Sequence, residues 1–139
     1  MKKNLKSRKF PGFTLTELLV VLIIIGILVL LALPNLMPLI SRAKSTEAQL
    51  QLSHVHMLEK TYFYLHSTYT TNLVELGFEQ EKLTKDGGNA NYLIEVVEAS
   101  SSTFKARATA VVDFDGDGVF NVWEIDENKK LMRPMPRCL

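Results

Sequence analysis

Apolar residues are concentrated near the start of the chain, where they form one long run. Residues 18–41 include no charged side chain, and almost every position up to Leu33 is aliphatic. As a helix this run is long enough to cross the hydrocarbon core of a bilayer, which takes about 20 apolar residues. The pattern therefore predicts a membrane-spanning helix, with Gly26, Pro34 and Pro38 as positions that weaken or kink it.

After Ser41 the apolar residues recur at steps of three and four. This stripe consists of Ala48, Leu52, Val55, Leu58, Tyr62 and Leu65. Such spacing places side chains on one helix face, so we expect the helix to continue to about His66 with the stripe against a small core. The polar residues that lie mainly off the stripe, and are predicted to be solvated, are Glu47, Gln51, His54 and Glu59.

Short segments with strand-like patterns fill the rest of the chain. Residues 92–99, 103–112 and 119–126 are rich in β-forming residues or alternate in polarity, and Leu131 and Met132 suit a short final strand. Residues 67–91 hold turn-forming clusters and are expected to connect the helix to these strands. The economical architecture is α+β, with a long N-terminal helix packed against a small antiparallel meander.

Charge is distributed unevenly in this chain of 139 residues with a net charge of +1. The basic residues before Gly12 are Lys2, Lys3, Lys6, Arg8 and Lys9, which leaves 11 basic residues against all 15 acidic ones. A basic segment before an apolar run predicts a cytoplasmic N-terminus, with the remainder outside. The acid-rich outer part shows no site for nucleic acid, which requires clustered Lys and Arg.

The junction of the basic segment and the apolar run carries a specific motif. KFPGFTLTELLVVLI, residues 9–23, resembles the leader junction and anchor of type IV pilins and of the related type II secretion pseudopilins. The resemblance implies that a prepilin peptidase cuts between Gly12 and Phe13 and that the new amine of Phe13 is methylated. It also implies the pilin-like fold.

Glu17 lies at the start of the apolar run and becomes the fifth residue after that cleavage. A carboxylate in lipid is costly unless it is paired, so an intramembrane acid is a functional candidate. The resemblance implies that Glu17 of one subunit meets the Phe13 amine of its neighbour and sets the register between them. The implied partners are copies of this chain, the prepilin peptidase, an inner-membrane assembly platform and an assembly ATPase.

The motif and the patterns together divide the chain. Residues 1–12 form the leader, 13–41 the membrane and filament-core helix, and 42–139 the periplasmic or surface head. Within the head we expect an amphipathic helix over 42–66, the connector over 67–91 and the meander over 92–133. The single cysteine, Cys138, rules out a disulfide within the chain.

DFDGDGVFNVWE, residues 113–124, fits the twelve-residue calcium loop of EF-hands. Asp113, Asp115 and Asp117 take the first, third and fifth positions, and Glu124 takes the twelfth. If the chain leaves Gly118 as a strand, Glu124 ends roughly 20 Å away and cannot close the site. Two alternatives remain, a loop that binds Ca²⁺ through the three aspartates and a bare Asp-Gly turn.

The sequence does not indicate an enzyme, because it shows no nucleophile–base pair, phosphate-binding glycine loop or Cys/His metal site. The three histidines are expected on a solvated helix face. The function predicted first is a filament subunit, found in the inner membrane and then in a surface pilus. The alternatives are a calcium-dependent major pseudopilin in a periplasmic pseudopilus and a membrane-tethered calcium-binding module that does not polymerise.

Overall fold

The computed structural model describes residues 11–134, without the side chains of Asn35 and Met37. Residues 1–10 of the predicted leader and Cys138 lie outside this range. One helix, α1, runs from Leu15 to His66 without a break. Contacts divide the chain into two compact units, one ending at Leu36 and the other beginning at Met37. The limits of 13–41 and 42–139 inferred from the sequence stay predictions.

The first unit contains the apolar part of α1. Leu15–Pro34 has a mean hydropathy of 3.0, is long and apolar enough to cross a membrane, and is 0% buried in the fold of the chain itself. None of its residues is buried by the described part of the chain, so this surface is available to lipid or to another protein.

The second unit is the head, in which four strands form one antiparallel sheet in the order β1-β2-β3-β4. The strands are β1 (Tyr92–Ala99), β2 (Phe104–Ala110), β3 (Val122–Asp126) and β4 (Leu131–Met132). Ala106 pairs with Val96 on one side and with Ile125 on the other, and the register shifts between Val96 and Glu98. The predicted meander is confirmed, although β3 starts three residues later than the sequence pattern indicated.

The core of the head lies between α1 and one face of this sheet. Ala48, Leu52 and Val55 of α1 are 0% exposed and cluster with buried residues of the strands. In β2 every second residue from Phe104 to Ala110 is buried, as the alternating pattern predicts. Burial of these apolar side chains is the main term that holds the helix on the sheet.

Two polar contacts fix the position of α1 along the sheet. The Glu47 carboxylate accepts hydrogen bonds from the backbone N–H of Asn91 at 2.7 Å and from its side-chain amide at 2.6 Å. The Asn121 amide donates to the Ser41 hydroxyl at 2.9 Å, and Arg133 donates to the other side of Asn121. Because both Asn91 and Asn121 are buried, these bonds also satisfy groups that would otherwise destabilise the head.

The predicted stripe on α1 is correct at its start and wrong at its end. Glu59, expected to be solvated, is 0% exposed, whereas Leu65, expected on the stripe, is exposed. The buried face runs through positions 52, 55 and 59, which keep the spacing of three and four. His56, expected to be solvated, is half-buried, and its Nε2 donates to the carbonyl oxygen of Glu127 at 3.2 Å.

Candidate functional site

The first candidate site is the start of α1, where the sequence places Gly12, Phe13 and Glu17. Thr14 directly precedes the helix, and its hydroxyl accepts a hydrogen bond from the Glu17 N–H at 3.2 Å. In return the Thr14 N–H and hydroxyl donate to Glu17 Oε2 at 2.9 and 3.1 Å. This reciprocal arrangement is a capping box, which satisfies N–H groups that a helix start leaves free.

The cap directs the Glu17 carboxylate back towards the residues that precede the helix. Each of its hydrogen bonds within the described part of the chain uses Oε2, so Oε1 can take a further donor. Phe13 and Glu17 line one surface groove together with Thr14, Thr16, Val20 and Val21. The structure thus places Glu17 beside Phe13, while the roles predicted for Gly12, Phe13 and Glu17 stay predictions.

The second candidate site is the loop between β2 and β3. Asp113, Asp115 and Asp117 each bring a carboxylate oxygen to within 4.8 Å of the others. Asp113 also organises the loop backbone, since its Oδ1 accepts from Gly116 N–H at 2.9 Å and its Oδ2 from Gly118 N–H at 2.8 Å. Gly116 and Gly118 have φ values of 72° and 82°, in a region that residues other than glycine rarely adopt.

The carboxylates of this loop differ in their affinity for protons. The backbone hydrogen bonds from Gly118 and then Gly116 lower the pKa of Asp113. Desolvation and then the neighbouring charge of Asp117 raise the pKa of Asp115. A cation at the loop would relieve this repulsion between carboxylates.

Glu124, the twelfth residue of the EF-hand pattern, does not join the loop. It lies in β3 opposite Arg107, which donates to Glu124 Oε1 through Nε at 2.8 Å and Nη2 at 2.6 Å. This is the departure from an EF-hand that the strand pattern predicted. Only the three aspartates of the pattern therefore remain as candidate ligands.

Comparison with known proteins assigns the chain to a family. The family described as "Prokaryotic N-terminal methylation motif" matches residues 7–33. The chain is 37% identical over 76 residues to the "Type IV major pilin protein PilA" of Myxococcus xanthus, a match over 55% of this chain and 34% of that protein. It is 32% identical over 100 residues to the "Type IV wide pilus major component PilA4" of Thermus thermophilus, over 70% of this chain and 71% of that protein.

The chain belongs to the type IV pilin family. It therefore is a structural subunit and not an enzyme, as the sequence predicted. Both relatives are named as pilus components, so the comparisons do not favour the pseudopilin or the tethered module. The apolar Leu15–Pro34 helix and the methylation motif fit a pilin anchored in the inner membrane. The match spans only about a third of the Myxococcus pilin, 34% of its length.

Sequence reasoning missed two acidic residues of the pilin head, Glu47 and Glu59. Both were assigned to the solvated face of α1, yet Glu47 binds Asn91 and Glu59 is fully buried. Burial raises the pKa of Glu59 to about 7. The hydrogen bond from Thr70 acts in the opposite direction and lowers this pKa, but its effect is smaller. The signal available in the sequence was the spacing of Glu59 from Val55, four residues along the buried face.

Proposed function

We propose that this pilin is the repeating subunit of a type IV pilus-like filament, cleaved after Gly12 by a prepilin peptidase and assembled through α1. The observation that carries the proposal is the fully uncovered Leu15–Pro34 helix in a chain that belongs to this family. Lipid covers that surface before assembly. Copies of the same helix cover it in the filament, so a single apolar surface serves both states.

The chemistry of the junction supports a specific role for Glu17. Cleavage after Gly12 leaves a cationic amine on Phe13, one residue before the capping threonine. Glu17 Oε2 is held by Thr14, and Oε1 accepts no hydrogen bond among the described residues. An amine from a neighbouring subunit that reaches Oε1 forms a charge-assisted hydrogen bond in a low-dielectric setting, which strengthens it. The apolar helices slide easily past one another, so this pair supplies their axial register.

Assembly requires partners besides the subunit itself. Removing about 20 apolar residues from lipid is unfavourable until other helices replace the lipid. We therefore propose an inner-membrane platform that gathers subunits and an ATPase that drives their extraction. The basic leader before Phe13 supports a cytoplasmic N-terminus, where the peptidase then acts.

The processing step can be tested by mass spectrometry on fibres sheared from cells and on the membrane fraction. We expect the sheared fibres to contain chain that begins at methylated Phe13. A Gly12→Asp variant is the control, and it should remain uncut, stay in the membrane and yield no fibres. Processed chain confined to the membrane fraction would contradict a surface pilus and support a pseudopilin or a minor subunit. Uncut wild-type chain would support the tethered module.

We also propose that the aspartate loop of the head binds Ca²⁺. The separation of the three carboxylate oxygens, within 4.8 Å, suits calcium, whose bonds to oxygen are about 2.3–2.6 Å long. Three aspartates supply fewer than the six to eight oxygens that calcium takes, so backbone carbonyls or water complete the site. The affinity should then resemble that of extracellular calcium modules, with Kd of about 10⁻⁴–10⁻³ M.

The calcium proposal is tested by thermal unfolding of the full chain in detergent micelles with and without calcium. At about 10 mM calcium and a Kd of about 1 mM, the free energy of unfolding should rise by about 1.4 kcal/mol. Asp115→Asn with Asp117→Asn should abolish the rise. Asp113 is left intact because it also holds the loop backbone. The same unfolding temperature with and without 10 mM calcium in the wild type would leave the bare turn.

A further inference from the structure

Glu59 is a buried acid of the head that belongs neither to the candidate site at the start of α1 nor to the aspartate loop. Glu59 is 0% exposed. Its Oε2 accepts one hydrogen bond, from the backbone N–H of Thr70 at 3.3 Å. Its Oε1 is buried and has no hydrogen-bond partner among the described residues. This environment favours the protonated carboxyl group over the ionised one, since a buried charge needs close partners.

The charged and titratable groups of the neighbouring helix turns and connector are engaged elsewhere. Lys60 donates to the Tyr69 hydroxyl at 2.8 Å, and its Nζ lies 5.4 Å from the centre of that ring. Glu75 accepts from the Tyr62 hydroxyl at 3.3 Å and from the Thr70 hydroxyl at 3.0 Å. Within the described residues Glu59 forms no ion pair.

The groups on the remaining elements do not compensate Glu59 either. The ring of His66 lies tilted against that of Tyr62, with ring centres 4.2 Å apart, and His56 donates to the Glu127 carbonyl oxygen. The buried face of the sheet presents one titratable residue in its described core, Tyr92. Asn91, which precedes Tyr92, binds Glu47, and Glu47 is about 18 Å from Glu59 along the helix at roughly 1.5 Å per residue.

The Thr70 contact places Glu59 under the start of the connector. The chain leaves α1 at His66, and Tyr69 returns to the sheet through its N–H bond to the Ser100 carbonyl oxygen at 3.0 Å. The ring of Tyr69 stacks on Phe63 with centres 4.8 Å apart. Separation of this part of the connector from α1 would break the Thr70 contact and open this side of the buried Glu59 to water.

We propose that Glu59 is a proton-controlled latch, which closes residues 69–76 of the connector over α1 when it is protonated and releases them when it is ionised. Protonated Glu59 is stable in this site without water, with the backbone N–H of Thr70 as its hydrogen-bond partner. An ionised acid draws in water, and the Thr70 contact opens to admit it. The acid form of the head then presents an ordered connector surface, and the basic form presents a mobile one.

The pH range of the latch follows from the environment of the acid. Burial raises the pKa of Glu59 from 4.5 to about 7 in the closed head. At a pH between 4.5 and about 7, Glu59 is ionised in the open form and protonated in the closed form. The free energy that favours the closed form therefore falls as pH rises through this range. His56 acts in the opposite direction, because burial lowers its pKa and the closed form then gains stability as pH rises. A comparison of variants that share His56 cancels this contribution.

The test is hydrogen exchange of the full chain in detergent micelles from pH 5.5 to 8.5, with rates corrected for the intrinsic effect of pH. In the wild type, protection of residues 67–78 should fall about 30-fold over this range. A carboxyl group with a pKa of about 7 in the closed form and 4.5 in the open form changes the ratio of closed to open protein by this factor. In Glu59→Gln the fall should disappear, whereas Glu79→Gln, a change of an exposed acid in the same connector, should retain it.

Two outcomes would overturn the latch. One is an unchanged pH dependence in Glu59→Gln, and the other is an equal loss of protection in β2, which would indicate unfolding of the whole head. If Glu59→Gln does not fold, carbon-13 NMR of the wild-type carboxyl groups decides the matter. A Glu59 midpoint near neutral pH supports the latch, and a midpoint at or below about 5 contradicts it. Neither measurement depends on filament formation, so both stand apart from the assembly proposal.

Discussion

Glu17→Ala should yield a pilin that is cleaved and inserted in the membrane but forms few or no fibres. The substitution removes the carboxylate that we assign to the Phe13 amine of the next subunit, and it leaves that amine charged among apolar helices. Removing one partner of a buried ion pair costs about 3–5 kcal/mol. At about 1.4 kcal/mol per tenfold change, this lowers the affinity for an incoming subunit by a factor of roughly 100 to 4,000. The mass of sheared fibres per cell is the measurement.

A second variant separates the charge of Glu17 from its role in the helix cap. Gln also serves in a capping box, so Glu17→Gln keeps the contacts with Thr14 and removes only the negative charge. We expect it to be as defective as Glu17→Ala. Thr16→Ala, a neighbouring change in the same groove, should assemble normally. Wild-type fibre yields from Glu17→Gln would assign the residue to capping rather than to pairing.

The strands and the helix face that pack against each other were predictable because burial imposes a period on the sequence. Phe104, Ala106 and Ala108 alternate with polar residues, and the structure buries these three side chains. The start of β3 was misplaced because local polar contacts override the alternation. The Asp117 carboxylate accepts from the Val119 N–H at 2.7 Å and turns the chain, and ladder pairing begins only at Val122.

Glu59 shows where counting apolar positions fails. Charged residues are rarely fully buried, so a sequence pattern assigns them to the solvated face. Helix geometry nevertheless places position 59 on the same face as Leu52 and Val55. Protonation of Glu59 resolves this conflict because it neutralises the side chain. The protonation state of a residue cannot be read from the sequence.

The two candidate sites differ in what the sequence could determine. The aspartate loop follows from its side chains and local turns, and the strand pattern correctly directs Glu124 away from it. The role of Glu17 depends on a second copy of the chain, so it follows from the motif and from the energetics of a charge in lipid. The cap with Thr14 was not anticipated, although Thr14 and Glu17 have the spacing of a capping box.

Phe104→Ala should strongly destabilise the pilin head. The side chain is 2% exposed, and its ring centre lies 4.9 Å from that of Tyr69 and 5.7 Å from that of His56. Truncation of a buried Phe costs about 3–5 kcal/mol, which is a large share of the roughly 5–15 kcal/mol that stabilises a domain. At about 4–8 °C per kcal/mol, the Tm of the head should fall by more than about 10 °C.

The chain supplies both a matched control and a probe for this measurement. Phe120→Ala removes the same side chain at a position that is 50% exposed, so its effect should stay within about 0.5 kcal/mol. The single Trp, Trp123, packs against the core of the head, so its fluorescence reports unfolding of the head while the anchor stays in a micelle. Because Gly12 and Phe13 belong to the other unit, Phe104→Ala should still be processed normally. Equal Tm values for the two Phe variants would mean that Phe104 does not anchor the core.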